Sequence, residues 1–405
     1  MSFVKMSRLW LWIVISSCVT SRAFAQASGS GAADGSALGA GRAEAEAAAA
    51  APLASTTWGE RRVLDGHRFP IAAFVPNPLP SSYLGVRAGL EYHEVPGYAE
   101  LPTLGTTSTP QQVDLKTIDV AETLDFSIRL HDYVALFGDA YGRARVGANT
   151  STLLGTGADY TYGGDAGVLA KIVRVGGFQL AVRGQFGMYA GQSAGILTLF
   201  QDLNRIASNA IMRVEQNPTT DLNAAINQLN ASFRNATADL LTPFTGVTWG
   251  GSVNFAQAIG RFVGVQGSLG FLYDAATYNP TMIDVSTSEP LRSTSRTRTL
   301  RPNLAIAIDL DLSPVRVPLD LMLEYRATPV SVKTTTTGTT ADGSDSQSAV
   351  EQLFAVGIYY SGRSDLQLGV TGYALSGQIP ALGANAQPSG QPLDLGLQFV
   401  FRYFW

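Results

Sequence analysis

Apolar and polar residues alternate at every second position along much of the chain after residue 82. In the last segment, Leu393 to Trp405, large apolar residues occupy the odd positions, and Asp394, Gln398 and Arg402 lie at even ones. Successive side chains of a strand point to opposite faces, so this period predicts one apolar face and one polar face. Such a strand suits a wall between lipid and a polar interior.

About twelve segments of this kind are predicted, each near the length of roughly 9 to 11 residues that a tilted strand needs to cross a bilayer. Their approximate bounds are 83–94, 117–130, 133–146, 160–174, 178–190, 246–257, 261–273, 304–312, 319–326, 352–360, 365–375 and 393–405. The predicted fold class is all-β: a transmembrane antiparallel β-barrel of about 12 strands over residues 83–405. Barrels of about ten or fourteen strands are the alternatives.

The predicted connections support this topology. Those after strands two, four, six, eight and ten are tight, whereas the others are long and rich in Thr, Ser, Gly and Pro. Short turns on one side and long loops on the other are typical of outer-membrane barrels, and an even strand count returns both chain ends to the periplasm.

The C-terminal strand carries aromatic residues on its apolar face, namely Phe399, Phe401, Tyr403 and Trp405. It resembles the C-terminal signal of bacterial outer-membrane β-barrel proteins, which ends in Phe or Trp and is read by the barrel assembly machinery. The resemblance covers about a dozen residues. It implies the outer membrane of a Gram-negative bacterium as the location and the assembly machinery as a partner, and it leaves the function open.

The N-terminal region has the features of an exported chain. Lys5 and Arg8 precede an apolar stretch from Leu9 to Val19, and Ala23-Phe24-Ala25 resembles a cleavage site, so we predict a signal peptide over residues 1–25. Residues 26–57 are predicted to form an Ala/Gly-rich flexible leader. Residues 58–82 are predicted to form a Pro-rich lead-in or a partial plug that folds up into the barrel.

Composition narrows the function classes. Charged residues make up 15% of the chain, the mean hydropathy is +0.10 and the formal net charge is -4. This modest negative charge gives no reason to expect nucleic acid as a partner. The single cysteine lies within the predicted signal peptide, so we expect no thiol chemistry in the mature chain.

The connection between strands five and six differs from the others. Apolar residues recur at helical spacing from Ile196 to Val214 and again from Leu222 to Leu240, with Asn217-Pro218 between the two sets. This pattern predicts an antiparallel helical hairpin over residues 193–243, inserted in the third extracellular loop or folded down into the lumen.

Charged residues on the inward faces are the candidate functional residues. The candidates for lining the lumen are Arg87, Glu91, Asp119, Asp125, Arg129, Asp139, Arg143, Arg145, Lys171, Arg183, Asp309, Asp311, Asp320, Glu324 and Arg326. Their charges nearly balance, whereas a channel that selects one ion sign has a more one-sided lining. Balanced charge fits either a weakly selective polar path or a lumen closed by ion pairs. Asp119 and Arg143 are expected to face each other across strands two and three.

Catalytic chemistry is not expected. Gly191 to Gly195 matches the G-x-S-x-G pattern of nucleophilic serines, but His67, His93 and His131 all precede Ser193, against the order in α/β-hydrolases. The scattered histidines have no spacing suited to a metal site, so no metal and no cofactor are predicted.

Three functions remain open, in order of preference. The first is a narrow passive channel or facilitated transporter for small-molecule solutes. The second is a structural or surface-binding barrel with a filled lumen that presents the hairpin and loops, with Arg296 and Arg298 placed to meet the phosphates of lipopolysaccharide in the surrounding lipid. The third is an outer-membrane hydrolase.

Overall fold

The computed structural model describes residues 62–101, 111–148, 152, 158–194, 241–279, 281–283, 290–292, 294–337, 343–377 and 392–405. Twelve antiparallel strands within these ranges close into one barrel. The strands are β1 Tyr83–Leu101, β2 Gln111–His131, β3 Val134–Gly147, β4 Ala158–Val175, β5 Phe178–Ala194, β6 Leu241–Ile259, β7 Val263–Tyr278, β8 Thr294–Asp311, β9 Leu319–Thr337, β10 Gly343–Tyr360, β11 Leu366–Ser376 and β12 Leu393–Phe404.

Neighbouring strands in the chain are neighbours in the barrel, and β12 closes it by pairing with β1 from Leu393 opposite Glu94 to Phe404 opposite Tyr83. The all-β, twelve-strand antiparallel barrel expected from the alternating pattern is therefore confirmed. Closure leaves no unpaired edge, which is the condition for strands to cross lipid without exposing unsatisfied backbone groups.

The tight connections lie at one end of the barrel, together with the start of β1 and the end of β12. Gly176 and Gly260 have φ of +53° and +70° in two of these turns, where a side chain would be strained. A short 3₁₀ turn, Ser313–Val315, joins β8 to β9. We call this the periplasmic end, since short turns face the periplasm in outer-membrane barrels.

Alternation sorts the side chains into an apolar exterior and a polar interior. On β8, Leu304, Ile306 and Ile308 are exposed on the outside, while Asp309 and Asp311 are buried inside. The same division holds on β12, whose outward residues Leu393 to Trp405 are exposed at every second position. The exterior is thus suited to hydrocarbon, and the interior holds the charged groups.

Several strands are longer than the sequence pattern predicts. Residues 327–337 and 343–351 were expected in a long loop, but they extend β9 and β10 as a paired ladder. Thr and Ser dominate this stretch, and threonine favours strands because its branched side chain fits a pleated surface. Beyond the bilayer a strand needs no apolar face, so the alternation that marks the membrane part is lost there.

The predicted helical hairpin of residues 193–243 needs a correction at both ends. Ser193 and Ala194 belong to β5, and Leu241 to Pro243 belong to β6, where Pro243 lies opposite Gln192. Residues 195–240 lie outside the described part of the chain, as do the predicted signal peptide and leader. None of the described helices is long and apolar enough to cross a membrane.

Candidate functional site

Residues 62–82, here called the plug, lie inside the barrel near its periplasmic end. Six of its apolar side chains are almost fully buried: Leu64, Phe69, Ile71, Ala72, Val75 and Leu79. The plug starts as a small hairpin in which Val63–Leu64 pairs with His67–Arg68 across Asp65-Gly66, both with positive φ. Four prolines then keep the backbone extended, so its polar groups find partners on the barrel wall.

The plug crosses the opening of the barrel. Arg68 donates a hydrogen bond to the carbonyl of Ser361 in the β10–β11 turn at 2.8 Å. At the end of β4, Arg174 donates to the carbonyl of Val63, also at 2.8 Å. These strands lie on opposite sides of a twelve-strand ring, so the start of the plug bridges its full width.

Glu324 on β9 binds three consecutive backbone N–H groups of the plug. Its Oε1 accepts from Ala73 at 2.9 Å, and its Oε2 accepts from Phe74 at 2.7 Å and Val75 at 3.1 Å. Hydrogen bonds to a charged group contribute about 1.5–3 kcal/mol each, more than bonds between neutral groups. Glu324 is therefore the main polar clamp on the plug.

Inward glutamines supply further backbone contacts. Gln367 accepts from the N–H of Ile71 at 3.1 Å and donates to its carbonyl at 2.9 Å, which imitates a strand partner. Gln266 donates to the carbonyl of Pro70 at 3.1 Å, and Gln179 donates to that of Pro78 at 2.7 Å. None of these three glutamines was among the residues predicted to line the lumen. Their only signal was an amide on an inward position near a short turn.

Apolar contacts support the plug on one side of the barrel. Ala72 and Val75 pack against inward residues of β8 to β10, namely Ala305, Ala307, Met322 and Tyr359. Leu64, Phe69 and Leu79 pack against Ala256 and Ala258 of β6. The alanines at these wall positions make room for the plug, which a larger residue would displace.

A buried histidine anchors the first part of the plug. His67 Nε2 pairs with the Asp309 carboxylate, while Nδ1 lies 3.2 Å from the carbonyl oxygen of Arg261. Both ring nitrogens face oxygen atoms, an arrangement that suits the doubly protonated imidazolium beside an ionised Asp309. Burial alone disfavours that charge, but the hydrogen bond and the charge of Asp309 outweigh it, and the pKa of His67 is raised above its usual value.

A cavity of about 240 Å³ lies between the plug and the opposite wall. Plug residues 71–77 and 79 form one side of it. The other side is formed by Tyr83, Arg87, Asp125, Phe126, Ser127, Phe137, Gly138, Asp139, Leu169, Arg183 and Arg402, from β1 to β5 and β12. The plug thus fills one part of the lumen and leaves a polar space beside β1 to β5.

Three arginines and two aspartates line this cavity, and they are unevenly paired. Asp125 accepts from Arg402 Nε at 2.9 Å and lies 3.7 Å from Arg87 Nε. Arg183 instead stacks on Phe137, with 3.7 Å between Cζ and the ring centroid. The Nε of Arg183 is buried and has no hydrogen-bond acceptor among the described residues.

Nearer the extracellular side, ion pairs connect adjacent strands. Asp119 accepts from Arg145 Nε at 2.9 Å and also pairs with Arg143, as expected from the sequence. Arg143 extends the network to Glu91 at 3.2 Å. The register places Arg145, not Arg143, directly opposite Asp119, so the predicted pair forms across a diagonal. These contacts narrow the lumen above the cavity.

The residues expected to line the lumen fall into two groups. These side chains are on inward positions of the barrel: Arg87, Glu91, Asp119, Asp125, Asp139, Arg143, Arg145, Arg183, Asp309, Asp311, Asp320, Glu324 and Arg326. Arg129 and Lys171 share the inward face, opposite the buried Ala135 and Ala181, but they lie at its periplasmic end. Arg129 pairs with Asp132 in the β2–β3 turn, and the Lys171 ammonium lies 4.4 Å from the centre of the Tyr133 ring.

The serine motif does not form the turn that its chemistry requires. Gly191, Gln192 and Ser193 continue β5 as extended strand, whereas a nucleophilic serine of this pattern needs a sharp turn at its own position. His93 pairs with Asp394 of β12, far from Ser193 in the barrel order. No group of three or more metal-ligating side chains occurs within the described ranges.

Comparisons with known proteins give structural similarities only. No protein-family model matches the chain, and no curated protein matches it. The chain is similar to the translocator domain of the autotransporter NalP from Neisseria meningitidis, at 6% identity and a TM-score of 0.45, over 80% of this chain and 89% of that one. It is also similar to the toluene transporter TodX from Pseudomonas putida, at 7% identity and a TM-score of 0.41, over 85% and 96%.

The architecture itself identifies the class. An even number of antiparallel strands closes into a barrel with an apolar exterior, a charged interior, short turns at one end and an aromatic terminal strand. This combination characterises proteins that cross the outer membrane with strands. The chain is a bacterial outer-membrane β-barrel protein, located in the outer membrane of a Gram-negative cell.

Proposed function

We propose that this barrel is a narrow passive channel for small polar solutes, with the plug as its constriction. The observation that carries the proposal is that the plug occupies one side of the lumen and leaves the cavity on the other. A twelve-strand barrel is roughly 20 to 25 Å across at the backbone, so side chains and plug together leave only a small path. Large solutes are therefore excluded.

The way in which the plug is bound fits a movable constriction. Its backbone is held by side chains of the wall, such as Glu324 and Gln367, and not by a continuous strand ladder. Side-chain hydrogen bonds can exchange with water one at a time, whereas a strand in the barrel cannot leave without breaking its ladder. Partial release of the plug would widen the path and leave the twelve strands intact.

The test is conductance in a planar lipid bilayer. Replacing Glu324 by Ala leaves the N–H groups of Ala73, Phe74 and Val75 without their acceptor, at about 1–3 kcal/mol for each group that stays buried. We expect the plug to loosen and single-channel conductance to rise severalfold above the small wild-type value. The control is Glu351→Ala on β10, an inward glutamate that makes no hydrogen bond to the plug in the described part of the chain.

A filled barrel that serves a structural or surface-binding role is the second candidate. The ion pairs from Asp119 to Arg143 and Arg145, together with the plug, favour it because they fill part of the lumen at two levels. The same bilayer recordings separate the two functions. If the wild type, Glu324→Ala and Glu351→Ala all show no conductance, the channel proposal is refuted and the filled barrel remains.

A lipid partner is proposed from the exterior of β8 and β9. Arg298 lies directly opposite Lys333, both point outward, and Arg296 follows two positions further from the membrane. Two like charges opposite each other are unfavourable unless an anion lies between them. The patch begins just beyond the exposed Leu300, where the phosphates of lipopolysaccharide would meet the barrel.

Replacing Arg298 by Glu should destabilise the barrel in vesicles that contain lipopolysaccharide, by about 1 kcal/mol for each basic residue lost. The melting temperature should change much less in vesicles of neutral phospholipid. Arg316→Glu, in the exposed β8–β9 turn at the other end, is the control. An equal loss in both kinds of vesicle would show that the patch has no phosphate partner.

A further inference from the structure

The cavity beside the plug contains an arginine without a counterion. Arg183 projects from β5, its Nε is buried without an acceptor among the described residues, and its guanidinium is held flat by Phe137. A rigid, desolvated guanidinium presents its donors in a fixed fork, which matches the two oxygens of a carboxylate. The protein itself supplies no such group within ion-pair distance in the ranges described.

The other charges of the cavity leave this position open for an anion. Asp125 is already shared, since it accepts from Arg402 and faces Arg87. Asp139 lines the same cavity but is not within 4 Å of Arg183, and it lies directly across the ladder from Asp125 on one side and Asp165 on the other. Three arginines against two aspartates give the lining a positive balance.

The apolar part of the lining indicates what the ligand contains besides its anionic group. Phe74 of the plug, Phe137 and Leu169 face the same space as Arg183. An inorganic oxyanion has no apolar group that could pack against these side chains, whereas the hydrocarbon part of an organic acid would pack against them. The volume of about 240 Å³ lies below the ~300–1,000 Å³ of pockets that bind drug-sized ligands, so the ligand is small.

We infer that this cavity is a binding site for a small organic carboxylate. Arg183 is the main hydrogen-bond donor to the carboxylate, and Arg87 is a second donor. The inference deepens the proposed channel function by naming a solute class. Only the passage of that solute through the barrel rests on the proposed function. Binding itself is a separate property. A carboxylate held there would sit beside the plug, on the open side of the lumen.

The experiment is calorimetric titration of the full chain in detergent micelles with butyrate, and with butyramide as its neutral analogue. Butyrate is expected to bind and butyramide is not. Arg183→Gln should weaken butyrate binding by about tenfold or more, because a charged hydrogen-bonding partner is lost. Arg301→Gln, which changes an inward arginine of β8 outside the cavity lining, should bind butyrate like the wild type.

Asp139→Asn provides an independent test that does not require the loss of an arginine. Removing a negative charge from the lining should tighten butyrate binding, which no general loss of structure would do. Heat-modifiable migration on gels shows whether each variant has a folded barrel. No butyrate binding by the wild type, equal binding of butyramide, or binding of phosphate in place of butyrate would overturn the inference.

The channel proposal and this inference fail in different ways. Butyrate binding that depends on Arg183 in a protein that is silent in bilayers would support the site and refute the channel. Conductance without butyrate binding would support the channel and refute the site.

Discussion

Removal of Tyr403 to Trp405 is expected to abolish most of the folded barrel in the outer membrane. Phe404 is buried at the closing strand pair, where it lies opposite Tyr83 and under the Arg62 guanidinium at 3.7 Å. Its N–H donates to the carbonyl of Asp365, and that of Trp405 donates to Ser82. Burial of one large aromatic side chain contributes about 1.5–3 kcal/mol, and these hydrogen bonds add to it.

The same deletion removes the aromatic end that resembles the signal for the barrel assembly machinery. Trp405→Phe keeps an aromatic residue at that position and serves as the control, whereas Trp405→Asp should behave like the deletion. The measurement is the amount of heat-modifiable protein in outer-membrane fractions. Refolding of the truncated chain into lipid vesicles, which lack the machinery, separates the two causes: normal refolding there, with loss in cells, would assign the effect to the signal. Normal levels in cells would contradict the prediction.

The barrel was predictable from the sequence because its information is local. Each strand carries its own apolar and polar faces, as β8 does from Leu304 to Asp311, and a glycine or proline marks the tight turns after β4, β6, β8 and β10. Closure adds only the rule that every strand must pair on both sides. The inward and outward faces, and an even strand count near twelve, therefore follow without knowledge of distant contacts.

The plug was left open by the sequence because its place depends on distant residues. Residues 62–82 have no period of two or 3.6, and four prolines exclude both a helix and an inner strand. The groups that bind its backbone lie far along the chain: Glu324 is 251 residues from Ala73, and Gln367 is 296 residues from Ile71. Only the folded barrel brings these partners together.

The charged interior was predicted in outline but not in its pairing. The face of each residue follows from alternation, and the Asp119–Arg143 pair was expected from a short turn. Which charged side chain stays unpaired depends on the tilt of the strands and on side-chain length. Arg183 is an example, since its Nε is buried without an acceptor among the described residues. For residues 195–240, the helical hairpin stays a prediction from the spacing of apolar residues. Its place in the third extracellular loop or in the lumen also stays a prediction.

Leu397→Arg is expected to destabilise the barrel by about 2 to 4 kcal/mol, since it places a charge near the middle of the lipid-facing surface. Leu397 is exposed on the outside of β12, between Leu90 of β1 and Gly372 of β11. At that depth the guanidinium reaches water only by bending along the wall. The free energy of unfolding in urea, measured in lipid vesicles, gives the size of the effect.

Gln398→Arg is the matched control, because it introduces the same side chain one residue away. Gln398 points to the interior, between Gly89 and Thr371, where the small neighbours leave room and the surroundings are polar. This variant should lose far less stability than Leu397→Arg. The comparison depends only on which face each position occupies, since strand, depth and introduced side chain are shared. Equal losses for the two variants would mean that β12 does not separate lipid from lumen, and the assignment of faces around the whole barrel would fall with it.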